Sequence, residues 1–200
     1  MLTSETLRDR FKAIPLVVGV MVVLSLLALA REKNETIEAT AYGTGTQMGQ
    51  NIGISLEIYE FSTPADRQLL ADAFNKGQNQ GLVNALTKMK AVGHISITGT
   101  LGYDVSFVRM IQTPTGRKIR FITNRNITFG EAWADSQSQA FNVTAGEFDL
   151  NDQEKSKSSG TLYPAAQIVI DKTGEPSFDL NQNPWRLSGV IDWKGTPGVN

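Results

Sequence analysis

From Asn51 to Phe61 the chain reads NIGISLEIYEF, with apolar and polar residues changing places at almost every step. Successive side chains leave a strand on opposite sides, so a repeat of two fits an extended strand with one buried face. Ile52, Ile54, Leu56 and Ile58 are expected on the buried face, and Gly53, Ser55, Glu57 and Tyr59 on the other. The preceding ETIEATAYGTG is a weaker strand of the same kind, with Ile37, Ala39 and Ala41 inward and a turn marked by Gly43, Gly45 and Gly49. The repeat returns after Gly93. GHISITGTLGY places Ile95, Ile97, Leu101 and Tyr103 on one face and His94, Ser96, Thr98 and Thr100 on the other. YDVSFVRMIQ continues with a phase change near Phe107 and Val108, which suggests a bulge. TPTG then turns the chain into RKIRFIT, a hairpin. NVTAGEFDL, SGTLYPAAQIVID and RLSGVIDW add three more strands, with NDQEKSKSSG a charged loop and DKTGEP a tight turn between them.

The period changes between Thr63 and Gly93. Thr63 can cap a helix, Pro64 suits its first position and Asp66 belongs in its first turn. Ala65, Leu69, Ala73 and Phe74 form the expected apolar stripe, and Gly77 ends the segment. Asn79 caps a second helix lined by Leu82, Leu86 and Met89, and Gly93 stops it. The sum is an α+β fold, mainly antiparallel β, with about eight strands arranged as a sandwich or a partly open barrel. A helical hairpin, residues 63–92, is inserted between strands.

Residues 31–200 are expected to form one β-rich domain behind an N-terminal leader, residues 1–30. Residues 13–30 carry no charge and follow a polar start with Arg8, Arg10 and Lys12. Ala28 and Ala30 supply the small residues of a cleavage site, so the segment has the three parts of a signal peptide. Its length also approaches the roughly 20 residues of a membrane span. Cleavage gives a periplasmic or secreted protein. Retention gives an inner-membrane anchor with the domain outside. Either way residues 13–30 contact the membrane.

Composition excludes several function classes. The chain has no cysteine, hence no disulfide, Cys-ligated zinc, iron–sulfur cluster, thiol nucleophile or lipid-bearing N-terminal cysteine. Its one histidine, His94, rules out a two-His metal site within one chain. The 200 residues carry a net charge of −1, without the basic excess of a nucleic-acid binder. No G-x-S-x-G, phosphate-cradling loop or H-E-x-x-H is present. The sequence therefore points to no catalytic residue, cofactor or metal. The Asn34, Asn126 and Asn142 sequons are glycan acceptors only in a eukaryotic secretory route, and the absence of cysteine favours a bacterial one.

A few constellations remain. His94 as a general base needs Asp104 or Glu131 beside it. Asp104 stands about 30 Å away if the segment is extended, so contact requires a fold-back. Glu131 and Asp135 flank Trp133 at helical spacing, a carboxylate pair or a short surface helix. Arg109, Arg117, Lys118, Arg120 and Arg125 gather around one hairpin, as an anion patch or a solvated sheet face balanced by acidic neighbours. Asp149 to Glu154 has the residue types of a calcium loop without its spacing or central glycine. Trp185 and Trp193 are expected to close the core.

The stretches ISLEIYEFSTPAD, LTKMKAVGHISITGTLGYDV and TPTGRKIRFITNR resemble small exported bacterial proteins with no assigned activity. The resemblance implies export and supplies no catalytic residues. The expected function is an exported, non-catalytic domain of the bacterial envelope that binds a small molecule or an envelope protein. Tyr103, Arg109, Arg120 and Trp133 are its candidate contacts. The alternatives are a hydrolase using His94 with an acidic partner, and a purely structural envelope protein.

Overall fold

The computed structural model describes residues 34–44, 49–125, 143–178 and 184–194, all within one compact unit that begins at Asn34. The leader, Trp133, Glu131, Asp135 and the sequons Asn126 and Asn142 lie outside the described residues. The elements run β1 (Glu35–Tyr42), β2 (Asn51–Ile58), α1 (Pro64–Leu86), β3 (Gly93–Ile97), β4 (Tyr103–Thr113), β5 (Gly116–Thr123), β6 (Val143–Asn151), β7 (Ser159–Ala166), β8 (Ile168–Ile170), β9 (Pro176–Phe178) and β10 (Trp185–Lys194).

β1 to β7 pair with their chain neighbours in antiparallel fashion, and β10 fits between β7 and β1 to close an eight-stranded barrel. The expected sandwich or partly open barrel is thus a closed barrel, because β10 pairs with β1 from Glu35↔Lys194 to Tyr42↔Arg186. Closure demands curvature, which bulges in three ladders supply. One falls in β10 at Gly189, whose φ of +61° suits a residue without a Cβ. The phase change expected in β4 is a register shift between Val105 and Phe107.

The alternation sorts side chains as read from sequence. Ile37, Ala39 and Ala41 of β1 and Ile54, Leu56 and Ile58 of β2 are buried inside the barrel. They meet Ile95, Val108, Ile119, Phe121, Phe148 and Leu162 from the other strands, so the interior is packed with side chains rather than hollow. Trp185 joins this core, but Trp193 faces outward and is 42% exposed, contrary to expectation. The bulge at Gly189 reverses the phase of β10 between the two tryptophans.

A second core lies on the outer wall. Leu70, Leu82 and Leu86 of α1 pack on Phe107, Ile122, Val143, Ala145 and Tyr163, with Ile168 of β8 alongside. Fully burying each of these leucines contributes about 1.5–3 kcal/mol. The α1 start is as expected: Thr63 and Asp66 form a capping box with Pro64 following. Gly77 and Gln78 leave helical geometry, and a Cβ on Gly81 would stand 2.1 Å from the Ala73 carbonyl oxygen. Residues eight apart in a continuous helix would be about 12 Å apart, so the second arm folds back on the first. Both ends of α1 are tied to β4: the Val108 N–H donates to Ser62 Oγ (2.9 Å), and Ser106 Oγ donates to the Leu86 carbonyl (2.9 Å).

Three local expectations need correction. The stripe Ala65, Leu69, Ala73, Phe74 is out of phase, since Leu70 and Ala71 are buried while Ala65 and Leu69 are exposed. The second arm ends at Leu86 with Thr87 as its cap, and Gly93 instead begins β3. GHISITGTLGY is not one strand. It turns at residues 98–102, leaving Leu101 98% exposed, with φ of +86° at Gly99 and +81° at Gly102.

Candidate functional site

Arg109 and Arg120 are direct cross-strand partners on the outer wall. The Arg120 Nε and Nη2 donate to Glu147 Oε2 at 2.9 and 2.7 Å, its Nη1 donates to the Pro176 carbonyl at 2.7 Å, and its guanidinium lies 5.4 Å from the centre of the Phe178 ring. Arg109 Nη2 reaches Glu175 Oε1 at 3.4 Å, and Arg67 of α1 binds the same oxygen. These arginines therefore fasten α1 and the β8–β9 hairpin to the barrel. Lys118 Nζ adds bonds to Glu147 (2.8 Å) and Asp149 (3.3 Å). Burial opposes the charge on Glu147, but hydrogen bonds from Lys118 and Arg120 outweigh it and hold the carboxyl below its ordinary range. Acidic neighbours balance these residues, but the expected solvated face is covered by α1 and the β8–β9 hairpin, which leave Arg120 and Glu147 only 17% and 18% exposed.

Tyr103 starts β4 and packs against the barrel core, with the Arg125 guanidinium 5.2 Å from its ring centre. It lies six residues from Arg109, about 20 Å along a strand, so the structure does not bring it together with Arg109 and Arg120. The β3–β4 hairpin does supply the fold-back that His94 required. His94 pairs with Asp104, Nδ1 stands 3.7 Å from Asp104 Oδ1, and Nε2 lies 3.0 Å from the Leu101 carbonyl. Glu57 is the partner of His94 on the other side, so two carboxylates flank the ring on the solvated wall. Tyr59 nearby has its pKa raised by burial and by the negative charge of Glu57 and Asp104.

The described residues frame two openings. One is a cleft of about 760 Å³ between the arms of α1. Leu69 and Ala73 from the first arm and Ala85 from the second, with Met89 and Val92 beyond, give it an apolar lining, and Leu69 is 46% exposed. Lys76, Lys88 and Lys90 stand on its rim with Glu60 and Asp66. Lys90 pairs with Glu60 at 2.7 Å and Asp66 is held in the capping box, whereas Lys76 and Lys88 have no ion-pair partner among the described residues. The consecutive leucines 69 and 70 were the available signal: one faces the barrel and the other faces this cleft.

The second opening, about 350 Å³, lies at one end of the barrel beside Gly189, Val190, Ile191 and Asp192 of β10 and the β6–β7 turn. Beneath it Arg117 reaches from β5 to the far wall, donating to Glu35 at 3.0 and 2.5 Å and to Asp192 Oδ2 at 2.6 Å. Burial opposes the Arg117 charge, but hydrogen bonds and attraction from both carboxylates outweigh it and raise its pKa.

No family model, curated protein or solved structure matches the chain. Among the described residues, no group of three or more His, Asp or Glu is placed to hold a metal ion, and no helix is long and apolar enough to cross a membrane.

Proposed function

We propose that residues 31–200 form an exported, non-catalytic binding domain of the bacterial envelope, and that the cleft between the arms of α1 seats an anionic amphiphile. The carrying observation is the division of labour within α1: one apolar face packs the second core, and another, led by Leu69, is left open in a cleft of about 760 Å³. That volume suits a small-molecule site. Among the described residues, apolar side chains pack the barrel interior. An acyl chain matches the apolar lining, and a carboxylate or phosphate head matches Lys76 and Lys88. Support for export comes from the charged, apolar and small-residue parts of residues 1–30.

The test is titration of the full-length chain with a fluorescent fatty acid, alongside mass spectrometry of ligands that co-purify natively. Saturable binding is expected, lost in Leu69→Asp and weakened about tenfold by Lys76→Glu with Lys88→Glu. Binding indifferent to all three changes would overturn the reading. The His94–Asp104 contact of 3.7 Å supports a second reading, a hydrolase. It requires that His94→Ala abolish an activity while the fold survives. A purely structural role predicts that no ligand saturates the cleft.

A further inference from the structure

The outer wall of β1 and β10 carries an inference independent of the α1 cleft. α1 packs on outward side chains of β4 to β7, from Phe107 round to Tyr163. The wall of β1 and β10 is left open. Glu38, Tyr42, Arg186, Ser188 and Ile191 are all exposed there, Tyr42 and Ile191 at 45% and 47%. Their register sets them in three rows: Tyr42↔Arg186, Thr40↔Ser188 and Glu38↔Ile191. Tyr42 and Ile191 therefore lie on one diagonal of the wall, and Arg186 and Glu38 on the other. Between the outer rows lie only small residues, Thr40 and Ser188, with Gly53 of β2 beside Thr40. A face so shallow at its centre lets a second sheet pack about 10 Å away.

Charge defines what would cover it. Trp193 Nε1 donates to Glu38 Oε2 at 3.1 Å, which orients the carboxylate without neutralising it. Among the described residues neither Glu38 nor Arg186 has an ion-pair partner. Tyr42, level with Arg186, is four residues from Glu38, about 13 Å along the strand, and Thr40 is midway. A two-fold axis crossing the strands at the Thr40–Ser188 row would exchange the outer rows of two facing copies. Arg186 of each copy then comes level with Glu38 of the other, and Tyr42 of each level with Ile191 of the other. The remaining sideways offset is one strand spacing, about 4.8 Å, which a long guanidinium side chain crosses. A patch complementary to itself in this way is what a two-fold dimer requires.

We propose that two copies of this chain pack their β1–β10 walls face to face about a two-fold axis, with Glu38 of each paired to Arg186 of the other. Together with β2 the wall is three strands wide and eight residues long, roughly 14 by 26 Å. That is small beside the ~800 Å² per partner of a standard interface, so the association is weak and reversible.

Sedimentation of the full-length chain in a mild non-ionic detergent, across a concentration series, tests this. The chain is expected to pass from monomer to dimer at roughly 10–100 μM. Glu38→Arg and Arg186→Glu each set like charges together at both contacts, and each should weaken the dimer at least about tenfold. Mixed in equal amounts, the two variants should dimerise with each other as the parent does, because every contact again joins opposite charges. Both positions are exposed, and unaltered urea midpoints verify that each variant is folded. Leu69→Asp in the α1 cleft should leave the dimer intact. A monomer at every concentration, association indifferent to both reversals (as residues 13–30 alone would give), or no pairing in the mixture would each overturn the proposal.

Discussion

Replacing Arg117 with methionine tests how the barrel end is held. The side chain is 6% exposed and supplies the hydrogen bonds to Glu35 and Asp192 described above, while those carboxylates are 11% and 16% exposed. Methionine keeps much of the apolar stem but leaves two buried negative charges facing each other. Breaking a buried pair in this way costs about 3–5 kcal/mol, a large part of the roughly 5–15 kcal/mol that holds a typical domain together. With a urea slope of about 2 kcal/mol per molar, the midpoint should fall by roughly 1.5–2.5 M. Replacing all three groups, Arg117→Met with Glu35→Leu and Asp192→Leu, should recover most of that loss, because apolar residues of similar volume carry no desolvation penalty. Equilibrium urea unfolding of the full-length chain, followed by tryptophan fluorescence, reports both values. A single variant within about 1 kcal/mol of the parent would refute the reasoning, since surface pairs are worth no more than that.

Two further outcomes follow from the outer wall. The Glu147 carboxyl is held below its ordinary value of 4.5, so its contribution to stability is present above that value and lost as pH falls through the lower folded-state pKa. Unfolding measured as a function of pH should show this acid limb flattened in Glu147→Gln, and an unchanged limb would count against the Lys118–Glu147–Arg120 contacts. In the β3–β4 turn, Gly102→Ala should lower the melting temperature more than Gly99→Ala. Both have positive φ, but only at Gly102 would the new Cβ stand 2.2 Å from His94 Nε2 and 2.7 Å from the Ile95 carbonyl oxygen. Equal losses would sink that explanation.

Much of the barrel was legible because period-two alternation is a local signal. Ile37, Ala39, Ala41, Ile54, Leu56 and Ile58 all sit where their parity places them. Closure was not legible, since it depends on β10 meeting β1 across the whole chain. The charged residues at the barrel end share parity with apolar neighbours: Glu35 continues the row of Ile37, and Arg117 the row of Ile119. By sequence alone Arg117 belongs to an anion patch or a solvated sheet face, and only its facing partners Glu35 and Asp192 explain its burial. The His94–Asp104 contact was hidden in the same way. Gly99 and Gly102 were the turn signals inside an apparently continuous strand. In α1 the paired leucines 69 and 70 gave two possible stripes, and the barrel wall selects the one through Leu70.

The ladder partner of Glu35 is Lys194, so the ring is sealed by its first and last staves. Such a ring cannot be completed by any nascent chain that lacks β10. Until β10 emerges during synthesis, the outer edges of β1 and β7 stay raw, and Arg117 has only one of its two anions. Ring closure therefore waits for β10, and a chain stopped before Trp185 is an open sheet that invites aggregation.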